Sequence, residues 1–387
     1  MPVQLGSDRL LRSGRLKGRR VGIVSNPASV GPWFAHIVDR VAALPGVTTV
    51  ALFGPQHGFR ADVQDNMIES AHARDARRQV PVYSLYSETR EPTAAMLAGI
   101  DLLVIDLQDV GARIYTFIYT MANCLRAAAR HGIEVIVCDR PNPIGGDSVE
   151  GPMLLPGFES FVGQFPIPMR HGMTMGELAR LFNEEFGIGA TLDVAAMEGW
   201  QREMDFDDTG LPWVMPSPNM PTLDTAVVYP GAVLFEGTTI SEGRGTTRPF
   251  ETLGAPWIDA EAFASRMNGL GLGGVHFRPV VFEPAFQKHA GLPCGGCQIH
   301  VTNRAALRPV LAGVSLMSEF RRADPERFAW RTPPYEYEHE KMPIDILAGS
   351  SELRERIEAG AAGREIAASW EPSVAEFLDI RRRYLMY

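Results

Sequence analysis

"DLLVIDLQDVGARIYTF", Asp101 to Phe117, begins as an apolar strand and ends as a cluster of polar groups. Leu102, Leu103, Val104 and Ile105 alternate nothing: every position is apolar, as in a strand covered on both faces. Asp106, Gln108, Asp109 and Arg113 follow within a few residues. Working outward, "RVGIVS", "TTVALF", "VPVYSL" and "EVIVCD" have the same character. Helical patterns separate them. "YTFIYTMANCLRAAARHG" carries Ala and Leu at helical spacing and a Gly stop, and "TMGELARLFNEEFG" opens on a capping box, Thr174 with Glu177. Apolar strands linked by helices predict a parallel sheet with helices on both faces.

The texture changes near residue 225. "TAVVYPGAVLFEG", "VHFRPVVFEP" and "CQIHV" read as strands with breaks. A helix, "ALRPVLAGVSLMSEFRRA", follows, then the irregular aromatic stretch "WRTPPYEYEHEKMPIDILAG" and two charged helices. A chain of 387 residues is long for one core, so two domains are expected, 1–225 and 226–387. The fold class is α/β: a parallel-sheet domain followed by a smaller α+β domain.

Composition excludes several classes. The formal net charge is −9 and the only basic block is "RLKGRR", which argues against sequence-independent nucleic-acid binding. No run is long and apolar enough to span a membrane. The N-terminus lacks the apolar core of a secretory signal, so cytoplasmic action is expected, with export by another route or a removed leader as the alternative. Four cysteines, among them Cys294 and Cys297 in one C-x-x-C, are too few for a disulfide scaffold. The C-x-x-C is weak evidence for zinc, and a Gly-rich turn entering "CQIHV" is the plainer reading.

Ligands of open parallel sheets bind beyond the carboxyl ends of the strands. Polar loops follow several strands here: "GPQHGFRADVQDNMIES", "QDVGARIYT" and "RPNPIGGDSVEGP", with "PMRHGMT", "PSPNMPT" and "LFEGTTISEGRGTTRPFE" further on. A series of such loops predicts one shared pocket. Taken singly, Asp106 and Asp139 read first as turn or cap residues, and Asn142 and Asn219 as turn formers beside prolines. No dinucleotide fingerprint, Walker loop, nucleophile elbow or H-E-x-x-H is present, so no cofactor is expected. What remains is carboxylate chemistry (Asp65, Glu69, Asp106, Asp109, Asp139, Glu150, Glu236, Glu242) among the arginines Arg60, Arg113, Arg140, Arg170 and Arg244. That is the equipment of glycoside hydrolysis on an anionic substrate.

The same loops, together with "DRPNPIGG" and "VEGP", closely resemble the NamZ family of bacterial exo-β-N-acetylmuramidases, from about Val21 to the C-terminus. The resemblance implies a Rossmann-like N-terminal domain and a smaller C-terminal domain that closes an active-site cleft. It implies release of N-acetylmuramic acid from the non-reducing ends of peptidoglycan fragments, without a dinucleotide. The substrate's lactyl carboxylate gives the arginines an anion to bind. Many members read Pro-Glu-His-Gly where this chain has Pro-Gln-His-Gly, Pro55 to Gly58. Gln56 is no general acid, so on that segment Glu69 is the expected one.

On this reading His57 and Asp109 position or tune Glu69, while Arg140, Arg170 and Arg244 grip the carboxylate. Asn66, Gln108, Asn142 and Asn219 bond sugar hydroxyls or the acetamido group. Gln56, Arg113, His171 and Glu242 complete the expected binding set. Two other readings stand beside it. One is a metal-dependent hydrolase with Asp106, Asp109 and Asp139 as magnesium ligands. The other is a muropeptide-binding protein without catalysis. Nothing in the sequence sets the oligomeric state.

Overall fold

The computed structural model describes residues 2–64 and 67–387. Asp65 and Asn66, both in the expected site, lie outside the described residues. The strands of the first half are β1 (Arg20–Ser25), β2 (Thr48–Gly54), β3 (Ala73–Arg74), β4 (Pro81–Ser84), β5 (Leu102–Asp106), β6 (Glu134–Cys138), β7 (Glu150–Met153), β8 (Pro168–Arg170) and β9 (Leu192–Ala195). Seven of them build one sheet in the order β3-β4-β2-β1-β5-β6-β9, parallel except for β3. This is the Rossmann-like arrangement expected.

The two faces explain the unbroken apolar runs. Val21, Ile23, Leu52, Leu102, Val104 and Ile136 pack into one core layer. Val24, Phe53, Leu103, Ile105, Val135 and Val137, their neighbours along the strands, pack into the other. Side chains alternate across a strand, so a strand covered by helices on both sides must be apolar throughout. The helix Phe117–His131 lies on the second layer and ends at Gly132 with φ 65°. The helix Met175–Glu184 starts at the expected capping box: Thr174 accepts from the Glu177 N–H, and Glu177 accepts from the Thr174 N–H.

The second half holds β10 (Thr252–Ala255), β11 (Val275–Phe282) and β12 (Cys294–Val301), an antiparallel sheet in the order β10-β12-β11. "TAVVYPGAVLFEG" is not strand but the helix Leu223–Ala232 followed by the 3-10 turn Val233–Gly237. Its residues from Thr225 to Ala232 are all buried, so no amphipathic period marks it as helix. It packs on the helix Pro309–Ala323 through glycines. A Cβ on Gly231 would stand 2.0 Å from the Pro309 carbonyl oxygen, and one on Gly313 would stand 2.4 Å from that of Gly231. The C-x-x-C lies within β12, and all four thiols are free and buried. Three short helices rather than two close the chain, Glu352–Glu358, Gly363–Ser369 and Glu371–Arg381. No helix among the described residues is long and apolar enough to cross a membrane. The larger core layer runs without interruption from Val24 to Tyr384, so both halves share it.

Candidate active site

The sheet order reverses between β1 and β5, and the crevice at their carboxyl ends is the ordinary ligand site of such a sheet. Here the protein's own groups fill it. The Asn26 amide donates to the Gln108 carbonyl at 3.1 Å, and the Ser29 hydroxyl donates to that of Asp106. Arg140 donates to the Asp106 carboxylate at 2.5 and 3.3 Å and to the Val30 carbonyl at 2.9 Å. Asp139 accepts from Gly176 N, Thr174 Oγ1 and Tyr387 Oη at 2.7, 2.8 and 2.8 Å. Most of the polar cluster after β5 is thus internal bracing.

The same bracing accounts for other expected site residues. Asp109 accepts from the Gly111 N–H at 2.8 Å and lies 3.3 Å from His171 Nε2, poorly aligned for a hydrogen bond. His171 is fully buried, and its Nδ1 accepts from the Met173 N–H, which assigns the ring proton to Nε2, facing Asp109. Asn142 ties its loop to the Met173 carbonyl and the Ile144 N–H. Gln108 donates to the carbonyls of Asp109 and Pro141. Arg170 donates to the Ile144 carbonyl in a buried position near Glu150. Arg113 is 0% exposed and donates to four carbonyls, Pro152, Ile167, Leu347 and Ala348. Each of these side chains has partners within the fold, and none of them lines the cavity past β2.

The cavity lies to one side of the reversal point, past the carboxyl end of β2. Its wall from the first half is formed by Gln56, His57, Ile114 to Phe117, Val162, Ser217, Asn219 and Met220. Tyr229, Glu236, Arg244, Phe250, Tyr335 and Glu336 close it from the second half. The apolar tail of the opening stretch, Ile114 to Phe117, is therefore the part that meets the cavity. Of the arginines singled out in the sequence, Arg244 alone lines it.

His57 sits in a turn at φ 71°, and its Nδ1 lies 2.8 Å from the Val63 carbonyl. Donation from Nδ1 leaves Nε2 as the basic nitrogen. The Asn219 amide donates to the Gln64 carbonyl at 3.0 Å. Gln56 accepts from the Thr116 hydroxyl at 2.8 Å, which turns its NH2 toward Glu336 Oε1 at 3.3 Å.

Two buried carboxylates share the cavity. Glu236 accepts from Arg244 and from the Tyr335 hydroxyl, each at 2.6 Å. Burial pulls the Arg244 guanidinium down, but the carboxylates of Glu236 and Glu242 outweigh it and hold it above its ordinary value. Glu242 lies behind, 2.7 Å from Lys288. Burial pushes its carboxyl up, and Lys288 and Arg244 bring it below the usual range. Glu336 accepts from the Tyr86 hydroxyl at 2.9 Å as well as from Gln56. It was not among the expected acids.

Glu336 also lines a second space, an open groove of about 640 Å³ with Arg90, Phe161 and Tyr337. Glu69, the expected acid, belongs to that groove and not to the cavity. It is half-exposed, 3.3 Å from Arg90 and 3.2 Å from the Tyr337 hydroxyl. The cavity itself holds only about 40 Å³, well below the roughly 300–1,000 Å³ of small-molecule sites. Its walls must part to admit a sugar. Asp106, Asp109 and Asp139, the oxygen set of the magnesium reading, have separate partners. Among the described residues no group of three or more His, Cys, Asp or Glu is placed to hold a metal ion.

A Rossmann-like sheet joined to an antiparallel one, with buried carboxylates enclosed between them, defines a two-part α/β protein with the equipment for acid–base chemistry. The chain belongs to the NamZ family. Residues 21–224 match the model described as exo-beta-N-acetylmuramidase NamZ, N-terminal, and residues 227–387 match its C-terminal counterpart. It is 46% identical to the peptidoglycan beta-N-acetylmuramidase NamZ of Bacillus subtilis (strain 168), over 100% of this chain and 91% of that protein. Two crystal structures of DUF1343 family proteins from Bacteroides fragilis NCTC 9343 share the fold. One has TM-score 0.90 and 35% identity, the other 0.75 and 27%, and each alignment covers 100% of this chain and 99% of that one.

Proposed function

We propose that this protein is an exo-β-N-acetylmuramidase, a glycosidase that releases N-acetylmuramic acid from the non-reducing end of peptidoglycan fragments. Family membership over both halves and the similarity to the Bacillus subtilis enzyme support the activity. The observation that carries the mechanism is a pair of buried carboxylates, Glu236 and Glu336, in a small cavity that shares Glu336 with the groove beside it. Once its walls part, so confined a cavity suits an exo-acting enzyme, because it takes a chain terminus rather than the middle of a chain. The terminal residue occupies the cavity and the rest of the chain occupies the groove. The glycosidic oxygen then lies at their junction, beside Glu336, which exchanges a proton with it. Glu236, held by Arg244 and Tyr335, faces the ring and stabilises the positive charge that develops at its anomeric carbon. Arg244 is the arginine in the cavity wall that would meet the lactyl carboxylate, with its charge already shared by two glutamates.

The test uses a chromogenic β-N-acetylmuraminide and the matching β-N-acetylglucosaminide, which differ by the lactyl ether. Release from the muraminide alone is the expected result. Equal hydrolysis of the two, or of neither, sinks the proposal. Arg244→Ala should weaken binding of the muraminide, raising KM at least tenfold, since charge-assisted hydrogen bonds contribute roughly 1.5–3 kcal/mol. An unchanged KM in a folded variant would remove Arg244 from substrate recognition.

A further inference from the structure

Tyr335 to Glu338 form a tight turn closed by two backbone hydrogen bonds, Tyr335 N to Glu338 O and Glu338 N to Tyr335 O, both 2.9 Å. Its two central residues, Glu336 and Tyr337, have φ of 46° and 70°. A turn with both central residues left-handed normally takes Asn and Gly, and a larger side chain in that region is strained by about 1 kcal/mol or more. The geometry splits two adjacent side chains. Glu336 is buried and lines both spaces, whereas Tyr337 is 49% exposed and lines only the groove.

Tyr337 is also braced. The Arg90 guanidinium lies 4.2 Å from the centre of its ring and 4.5 Å from that of Tyr86. Its hydroxyl donates to Glu69 Oε1 at 3.2 Å, and Glu69 in turn pairs with Arg90 at 3.3 Å. One ring face is thus held on a cation and the hydroxyl is tethered, while about half of the residue stays open to the groove. A fixed, half-exposed aromatic ring beside polar groups is a platform for the apolar C–H face of a pyranose.

We propose that this groove is the subsite for the leaving part of the substrate, and that Tyr337 stacks the pyranose that follows the cleaved residue. The inference rests on the muramidase reading given above and adds a residue that sets affinity for the aglycone. Glu69, through Arg90 and the Tyr337 hydroxyl, acts as a positioning residue for this platform.

The experiment compares two substrates, a muraminyl disaccharide and methyl β-N-acetylmuraminide, which lacks a ring beyond the scissile oxygen. The ratio of their kcat/KM values reads the groove. Tyr337→Ala should lower that ratio about tenfold, ~1.4 kcal/mol, through KM of the disaccharide. Tyr337→Phe should retain most of the preference. A Tyr337→Ala variant that keeps the parental ratio overturns the proposal. So does one that loses kcat equally on both substrates, because the turn then only holds Glu336. Binding of N-acetylglucosamine, followed by NMR, separates this result from the function itself. A parent inactive on every muraminide refutes the muramidase reading, and the groove proposal still falls if Tyr337→Ala binds the sugar as tightly as the parent.

Discussion

Glu336→Gln should lower kcat on an unactivated muraminyl disaccharide by roughly 10² or more, the usual contribution of general acid–base catalysis. The amide keeps the shape, and its oxygen can still accept from the Tyr86 hydroxyl, 2.9 Å from the carboxylate, at the expense of the longer bond from the Gln56 NH2. What is lost is the exchangeable proton at the junction of cavity and groove. An aryl muraminide with a good leaving group needs less protonation, so its rate should fall much less. Glu69→Gln is the informative contrast. Glu69 is half-exposed in the groove, so its replacement should change kcat only a few-fold and act mainly on KM of the disaccharide. If Glu336→Gln turns over the disaccharide at the parental rate while Glu69→Gln does not, the roles are reversed. Proton transfer then belongs to the groove.

That Glu336 lines the cavity while Glu69 lies in the groove has a physical cause. The sheet was legible because burial on both faces forces unbroken apolar runs, and its carboxyl edge follows from the handedness and order of the connections. Gln56, His57, Asn219, Glu236 and Arg244 were legible as polar groups in loops after strands or in the facing half, and all five line the cavity. Arg113, Arg140 and Arg170 lie in equally suggestive loops, yet their side chains turn inward to carbonyls and to Asp106. Sequence shows that an arginine follows a strand but not which way its guanidinium points. Glu336 was missed for a different reason. "PPYEYEHE" has neither period nor Gly, and its sharp turn runs through two residues that seldom adopt positive φ. A Tyr-Glu-Tyr-Glu run after two prolines was the available signal. The helix Leu223–Ala232 reads as strand in the sequence because a segment buried all round loses its amphipathic period, and Val227, Val228 and Pro230 disfavour helix locally.

Arg113→Met should destabilise the protein by about 3–5 kcal/mol, the net of four buried carbonyls left without a donor and the relief of one desolvated charge. Arg113 is among the largest fully buried side chains, and its acceptors are carbonyl oxygens at 2.7 to 2.9 Å. Pro152 and Ile167 belong to the β7–β8 hairpin region, whereas Leu347 and Ala348 end the helix Pro343–Ala348, so one guanidinium fastens the two halves. Burial pulls its pKa down to about 10, and the group stays charged at neutral pH. The charge therefore costs desolvation, which the four carbonyl dipoles offset. Methionine fills much of the volume but leaves four buried carbonyls without a donor, each worth roughly 1–3 kcal/mol, while relieving the charge. Lysine keeps the charge but presents three donors on one nitrogen, which cannot fork to both pairs. Its cost should fall between parent and methionine. Urea unfolding checks the order, and a methionine variant with the parental midpoint would show that the clamp is dispensable. The consequence reaches the chemistry because Ile114 to Phe117, the next residues along the chain, line the same cavity as Glu236 and Glu336. Loosening Arg113 frees that wall, so the lysine variant should lose kcat at temperatures where it is still folded.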